Sequence, residues 1–200
     1  MGNREDLLAG AKRCLLERGW ARTTVRDIAE AAGGVSHAAI GYHFGSRETL
    51  LVEAFVQAME EWGAEIDRAL GAYAGPGATP AQRYEALWTE MIRSFTTHRK
   101  LWIASAEAFV QAEHSPELRD RLAAGQREGR RGTASALAGV DEDAVPERTV
   151  RTLGSAHLAL MNGVMMQWLL DPDHAPTGPE VVEGLRALIG SVAPDAPAPA

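Results

Sequence analysis

Apolar residues recur at three- and four-residue spacing along almost the whole chain, which predicts one helix after another. Leu7, Leu8, Ala11, Cys14 and Leu15 mark the first helix, and Gly19 stops it. Thr24-Val25-Arg26-Asp27 announces the second: Thr24 can cap, and Asp27 stands three residues on, where a capping-box acid belongs. Ile28, Ala29 and Ala32 give that helix its apolar face, and Gly33-Gly34 ends it. Ser36 opens a short third helix through Tyr42. Gly45-Ser46 stops it and caps a long fourth helix from Arg47 to about Leu70.

Gly71 to Thr79 reads as a loop dense in Gly and Pro, and Thr79-Pro80 restarts a helix with Pro in its first turn. Leu87, Met91, Ile92 and Phe95 carry it to about Thr97, and a further helix holds Trp102, Ala106, Phe109 and Val110. Ser115-Pro116-Glu117 opens a polar helix to about Leu137, and Asp141 to Pro146 is turn-like. A long helix from about Glu147 stops after Leu170 at Asp171-Pro172, and a last one spans roughly Pro179 to Val192. No strand pattern or internal repeat occurs in the sequence. The expected fold is all-α with about nine helices. A three-helix head over 1–47 precedes a larger bundle over 48–192, and the Ala/Pro tail 193–200 reads as disordered.

Composition narrows this picture. Two hundred residues allow one large domain or two small ones, and 46% hydrophobic with 24% charged residues excludes wholesale disorder. A single cysteine, Cys14, excludes an internal disulfide and a zinc ribbon and fits a reducing, cytoplasmic setting. Its place on the apolar face predicts a buried thiol rather than a nucleophile. The first twenty residues alternate charged and apolar groups, which predicts no secretory leader. The most apolar stretch, Leu158 to Leu170, is broken by Asn162 and Gln167 and is too short to span a membrane. The net charge of -7, taken whole, argues against a partner as acidic as DNA. Resolved by position, it becomes +2 on residues 1–47 and -9 on the rest. Such an asymmetry is compatible with a nucleic-acid contact but weak by itself.

Thr24 to Phe44 is the informative segment. Two short helices joined by a Gly-containing turn can form a helix-turn-helix. Ala29 is the small residue such a crossing needs, Gly33 tolerates the turn, and Val35, Ile40 and Phe44 can pin the second helix to the first. From pattern alone, an αα-hairpin inside a bundle fits about as well.

The runs Thr24 to Gly33, Val35-Ser36 and Tyr42 to Leu51 resemble the tetracycline-repressor (TetR) family, with the likeness confined to about residues 5–55. The resemblance implies a homodimeric repressor whose helix-turn-helix binds a palindromic operator in double-stranded DNA. It also implies a helical C-terminal domain that binds a small-molecule effector, needing neither cofactor nor membrane. Two departures bear on base contacts: Gly33-Gly34 lengthens the turn by a residue, and Gly41 stands where an aromatic is common.

Within that frame, Ser36, His37, Ala38 and Ala39 open the recognition helix, where side chains reach base edges. Tyr42 and His43 can reach phosphate or bases, with a packed, hydrogen-bonded histidine an equal reading of His43. Thr24, Arg26 and Arg47 stand at helix N-termini suited to phosphate; the resemblance assigns such a contact to the position of Arg47. The alternative for Arg26 is a solvated pair with Glu30.

In the body, Trp88, Met91, Phe95, Trp102, Phe109, Met161, Met165, Met166 and Trp168 sit at helical spacing, which is usually core. The sharper expectation is a pocket for a mostly apolar ligand, oriented by Asn162 and Gln167. Leu153, His157, Leu160 and Val164 form one stripe that could face a second copy; Val181, Leu185, Leu188 and Ile189 form another. The six histidines include no pair at i,i+4 for an H-E-x-x-H zinc site, and no nucleophile elbow, P-loop or GxGxxG occurs, so no enzyme or metal site is expected. The rival to a DNA-binding regulator is a helical ligand-binding or adaptor protein that has lost DNA binding.

Overall fold

The computed structural model describes residues 3–73 and 79–192, and every described element is helical. The expected tail at 193–200 and most of the Gly71–Thr79 loop lie outside the described residues. The head comprises α1 (Asn3–Arg18), α2 (Val25–Ala31) and α3 (His37–Phe44). The body follows with α4 (Arg47–Tyr73), α5 (Pro80–Thr97), α6 (Arg99–Gln111) and α7 (Pro116–Ala138). After a 3-10 turn at Glu142–Ala144, α8 begins at Glu147–Thr149, widens into a π-helical stretch at Val150–Gly154 and continues as Ser155–Leu170. Finally, α9 is Gly178–Val192.

The capping chemistry sets these boundaries. Thr24 and Asp27 form a reciprocal capping box, Thr79 and Gln82 another, and Ser36 and Ser115 accept from the first backbone N–H groups of α3 and α7. Thr177, which the pattern does not suggest, donates from both its backbone N–H and its hydroxyl to Glu180 ahead of α9.

Two large apolar cores result, beside a small cluster of Ala134, Val145 and Val150. In the first, Leu7, Ala11, Cys14 and Leu15 of α1 meet Ile28, Ile40 and Phe44 of the head, Leu50, Leu51 and Phe55 of α4, and Leu101, Ala104, Ala108 and Ala112 of α6. The small residues on that face of α6 let the head seat closely on it. In the second, Trp88, Met91, Ile92 and Phe95 of α5 pack with Trp102, Val164, Met165, Val181 and Val182. Cys14 is buried, and burial raises its pKa.

Glycine sets two close crossings. A Cβ on Gly10 would lie 3.0 Å from the Ala32 nitrogen and the Ile28 carbonyl oxygen, so α1 approaches α2 only because residue 10 has no side chain. A Cβ on Gly154 would lie within 3 Å of the Arg130 backbone of α7. The π-helical stretch of α8 ends at this contact, where the two helices press together most tightly.

Candidate nucleic-acid interface

The interface is built on the turn Gly19–Thr24, which is hydrogen-bonded almost throughout. Gly19 N–H donates to the Leu15 carbonyl, and the Thr23 hydroxyl donates to the Gly19 carbonyl at 2.8 Å. Trp20 N–H donates to Glu107 of α6 at 2.8 Å, and its indole N–H donates to the Ala104 carbonyl at 2.9 Å. Arg47 donates to the carbonyls of Trp20 and Thr23. The Thr24 N–H and hydroxyl both donate to Asp27, and Arg18 pairs with Asp27 at 3.1 Å. The Thr24 hydroxyl, then its backbone N–H, hold the Asp27 carboxyl below its ordinary range.

From this base α2 leads into the double-glycine turn. Gly33 and Gly34 both have φ of +84°, a left-handed conformation that explains why the extra residue is also glycine. Ile40 and Phe44 then bury one side of α3. The opposite side faces solvent: Ser36, His37, Ala38, Gly41 and Tyr42 are exposed, Tyr42 by 86%. Ala39 and His43 are half-buried. The His43 ring lies edge-on to Tyr42 at 4.9 Å and, among the described residues, makes no hydrogen bond, so the hydrogen-bonded histidine is not what the fold forms. An open groove between α2 and α3 is lined by Arg26, Glu30, Gly34, Ser36 and His37. With Gly41 exposed and nothing near its Cα, the helix gives no clash that would exclude a larger side chain there.

The basic residues of the head are less available than their number suggests. Arg4 pairs with Glu53, Lys12 with Glu61 and Arg18 with Asp27. Arg13 donates to the Ala31 carbonyl and Arg22 to the Arg18 carbonyl. Arg47 is the most fully engaged. Its guanidinium turns inward to two backbone carbonyls and to Glu48 at 2.8 Å. Among the described residues, Arg26 is the head cation with neither hydrogen bond nor ion pair, and the expected pair with Glu30 does not form.

In the body, the fold brings together Trp88, Met91, Phe95, Trp102 and Met165, with Met161 and Trp168 packed against them. Phe109 departs from this expectation. It is 45% exposed: it lies two turns on from Trp102 along the same side of α6, past the end of the second core. Asn162 is half-buried, Met166 and Gln167 are exposed. The proposed stripe on α8 also divides: Leu153 faces solvent, whereas His157 and Val164 point into the body. On α9, Val181 is buried and Leu188, Ile189 and Val192 are exposed.

The tryptophans reveal what the pattern could not. Trp20, Trp102 and Trp168 each donate their indole N–H to a backbone carbonyl. Trp62 and Trp88 do not: both Nε1 atoms are buried, Trp62 with no hydrogen-bond partner among the described residues and Trp88 with only a poorly aligned approach to the Tyr84 hydroxyl. Beside Trp88, the Tyr84 hydroxyl meets His157 Nδ1 at 3.2 Å. Burial pushes the His157 pKa down to about 4, and it raises that of Tyr84.

The family model described as "Bacterial regulatory proteins, tetR family" matches residues 7–54. The one described as "Tetracyclin repressor-like, C-terminal domain" matches residues 79–191, more than half of the chain. The chain belongs to the TetR family. Among its TetR-family relatives, it is 28% identical to the HTH-type transcriptional regulator TtgR of Pseudomonas putida over 174 residues, 85% of this chain and 81% of that one. It is 42% identical to the HTH-type transcriptional repressor AcnR of Corynebacterium efficiens over 52 residues, 26% of this chain. That match spans only 27% of AcnR's length. The fold is similar to that of the multidrug binding protein EbrR, solved with proflavin, at a TM-score of 0.66 and 25% identity over 94% of this chain and 100% of that one. As a TetR-family protein it is a transcriptional regulator with a DNA-binding helix-turn-helix. No described helix is long and apolar enough to cross a membrane.

Proposed function

We propose that this regulator works in the cytoplasm as a dimeric repressor on a two-fold symmetric DNA site and responds to a small, largely apolar ligand. The observation that carries the DNA reading is the solvent face of α3, held rigidly by Ile40 and Phe44 behind it. Ser36, His37, Ala38 and Ala39 meet base edges, Tyr42 and His43 meet bases or phosphate, and Thr24 and Arg26 meet phosphate. Arg47 supports the contact indirectly by bracing the turn. Residues 1–47 do the reading, and 48–192 bind ligand and join the two copies. The join uses the apolar side chains left exposed on the last two helices: Leu153, Met166, Leu170, Leu188, Ile189 and Val192.

The ligand reading is supported by the Trp62 and Trp88 indoles. A buried donor without a partner costs about 1–3 kcal/mol. A ligand bearing an acceptor would remove that cost, and the surrounding aromatic and methionine side chains suit an apolar body. The proflavin complex of EbrR is one precedent for an aromatic ligand in this fold.

One observation favours the rival, a ligand-binding or adaptor protein without DNA binding: six of the seven head cations are engaged internally. Selection of bound sequences from a random DNA pool decides between them. Enrichment of a palindrome bound more weakly as salt rises is expected; no enrichment at low salt would establish the rival.

A further inference from the structure

We infer that Glu107 of α6 is a positioning residue for the reading head: through Trp20 it fixes the direction in which α3 is presented. This rests on the DNA-binding reading above and adds to it a specific link between body and head.

Trp20 is held from three sides. Its backbone N–H goes to Glu107, its indole N–H to Ala104, both on α6, and its carbonyl to Arg47 at the start of α4. Its ring packs on Phe55 of α4 at 5.6 Å, and the residue is 5% exposed. Arg47 also holds Thr23, the residue before the Thr24 cap of α2. A continuous set of hydrogen bonds therefore runs from α6 through Trp20 and Arg47 to the first turn of the helix-turn-helix.

The second observation is Gly19. Its φ is +82°, and a Cβ there would lie 2.7 Å from Glu107 Oε2 and 2.9 Å from Oε1. The turn thus has no side chain at the point where the Glu107 carboxylate enters. An apolar residue at 107 would leave both the Trp20 N–H and this gap unfilled.

Head direction matters most for a protein that reads two half-sites at once. Each added base pair moves a half-site by about 3.4 Å and rotates it by about 34°, so a fixed head accepts one spacing and a loosened head accepts several. The test uses the full chain, the palindrome it selects, and versions of that site lengthened or shortened by one base pair between the halves. Wild type is expected to prefer one spacing by about tenfold or more. Glu107→Ala, with its helical circular dichroism and melting cooperativity retained, is expected to bind all three spacings within about threefold. Glu107→Gln keeps an acceptor oxygen and should restore the preference. Gly19→Ala displaces the carboxylate from the other side and also strains a backbone held at φ +82°, so it should broaden the preference at least as far as Glu107→Ala.

Unchanged spacing preference in a folded Glu107→Ala, or a uniform loss of affinity with the preference intact, would overturn the positioning role while leaving DNA binding standing. If wild type enriches no symmetric site, the DNA-binding reading falls and takes this role with it. Should Glu107→Ala not fold, Glu107→Met, which keeps the length of the side chain without an acceptor, reads the same difference against Glu107→Gln.

Discussion

In the turn at Gly19–Thr24 the Gly19, Trp20 and Thr24 N–H groups, the Trp20 indole and the Thr23 hydroxyl all reach acceptors, whereas the core of the body buries two indole N–H groups and a histidine with far less compensation. Both regions are built from the same residue types and by the same helix packing. On the proposed function, their difference is one of purpose. A scaffold that presents a reading surface gains from having every polar group answered, since each answered group fixes an orientation. A core that accepts a ligand, as the proposed function has it, gains from groups that remain unanswered until the ligand arrives.

The comparison breaks first under acid. His157 has a folded pKa of about 4 against an ordinary 6.5, so the unfolded chain takes up its proton first. Stability contributed by neutral His157 is therefore present above pH 6.5 and lost as pH falls from there toward 4, by about 3 kcal/mol in all. Chemical denaturation followed across that window should show the decline, and His157→Gln should flatten it. Below pH 4 the depressed carboxyls of Asp27 and Glu180 take over, since their stabilisation is lost as pH falls through their folded pKa values.

Next in size is Arg47→Ala, which strips the Trp20 and Thr23 carbonyls of their partner and should cost about 2 kcal/mol of stability. A mere phosphate contact would leave the melting temperature alone and weaken binding to all DNA alike. The paired substitutions Trp20→Phe and Trp88→Phe sharpen the contrast directly. Both shrink a buried ring, but only Trp20→Phe abandons a backbone carbonyl, while Trp88→Phe deletes a donor that no carbonyl meets. Trp20→Phe should be the more destabilising by about 1–3 kcal/mol in urea titrations. Equal losses would mean that the Trp88 indole is answered after all. The smallest effect on stability belongs to Arg26→Ala, within about 0.5 kcal/mol of wild type. Its effect should appear instead in DNA titrations, where the salt slope falls by about one per protomer.

The helical class, the capping of α2, α3, α5 and α7, and the buried face of α3 were legible because each depends on residues within four positions of one another. The direction of Arg47 was not, because the carbonyls it meets lie 24 and 27 residues earlier in the chain. A helix start exposed to solvent and one facing a turn look alike in sequence. Phe109 was misplaced for a related reason: spacing puts it on the same side of α6 as Trp102 but does not tell how far along that side the core extends. Gly10 carried no sign of its role, since a glycine amid charged and apolar helix residues gives no hint that another helix will cross there. Trp20 and Glu107, 87 positions apart, could be joined only by the fold. A tryptophan placed directly after a helix-stopping glycine was the one available signal that the turn is anchored.

Cys14, 4% exposed and with its thiol pKa raised, is shielded from reagents that attack thiolates, so the folded chain presents no competing site for thiol labelling. A cysteine introduced by Tyr42→Cys, at a position 86% exposed on the outer side of α3, would then be the sole reactive one. In the proposed dimer, a spin label attached there marks one point on α3 of each copy, turning the separation of the two helices into a distance that can be measured with and without DNA.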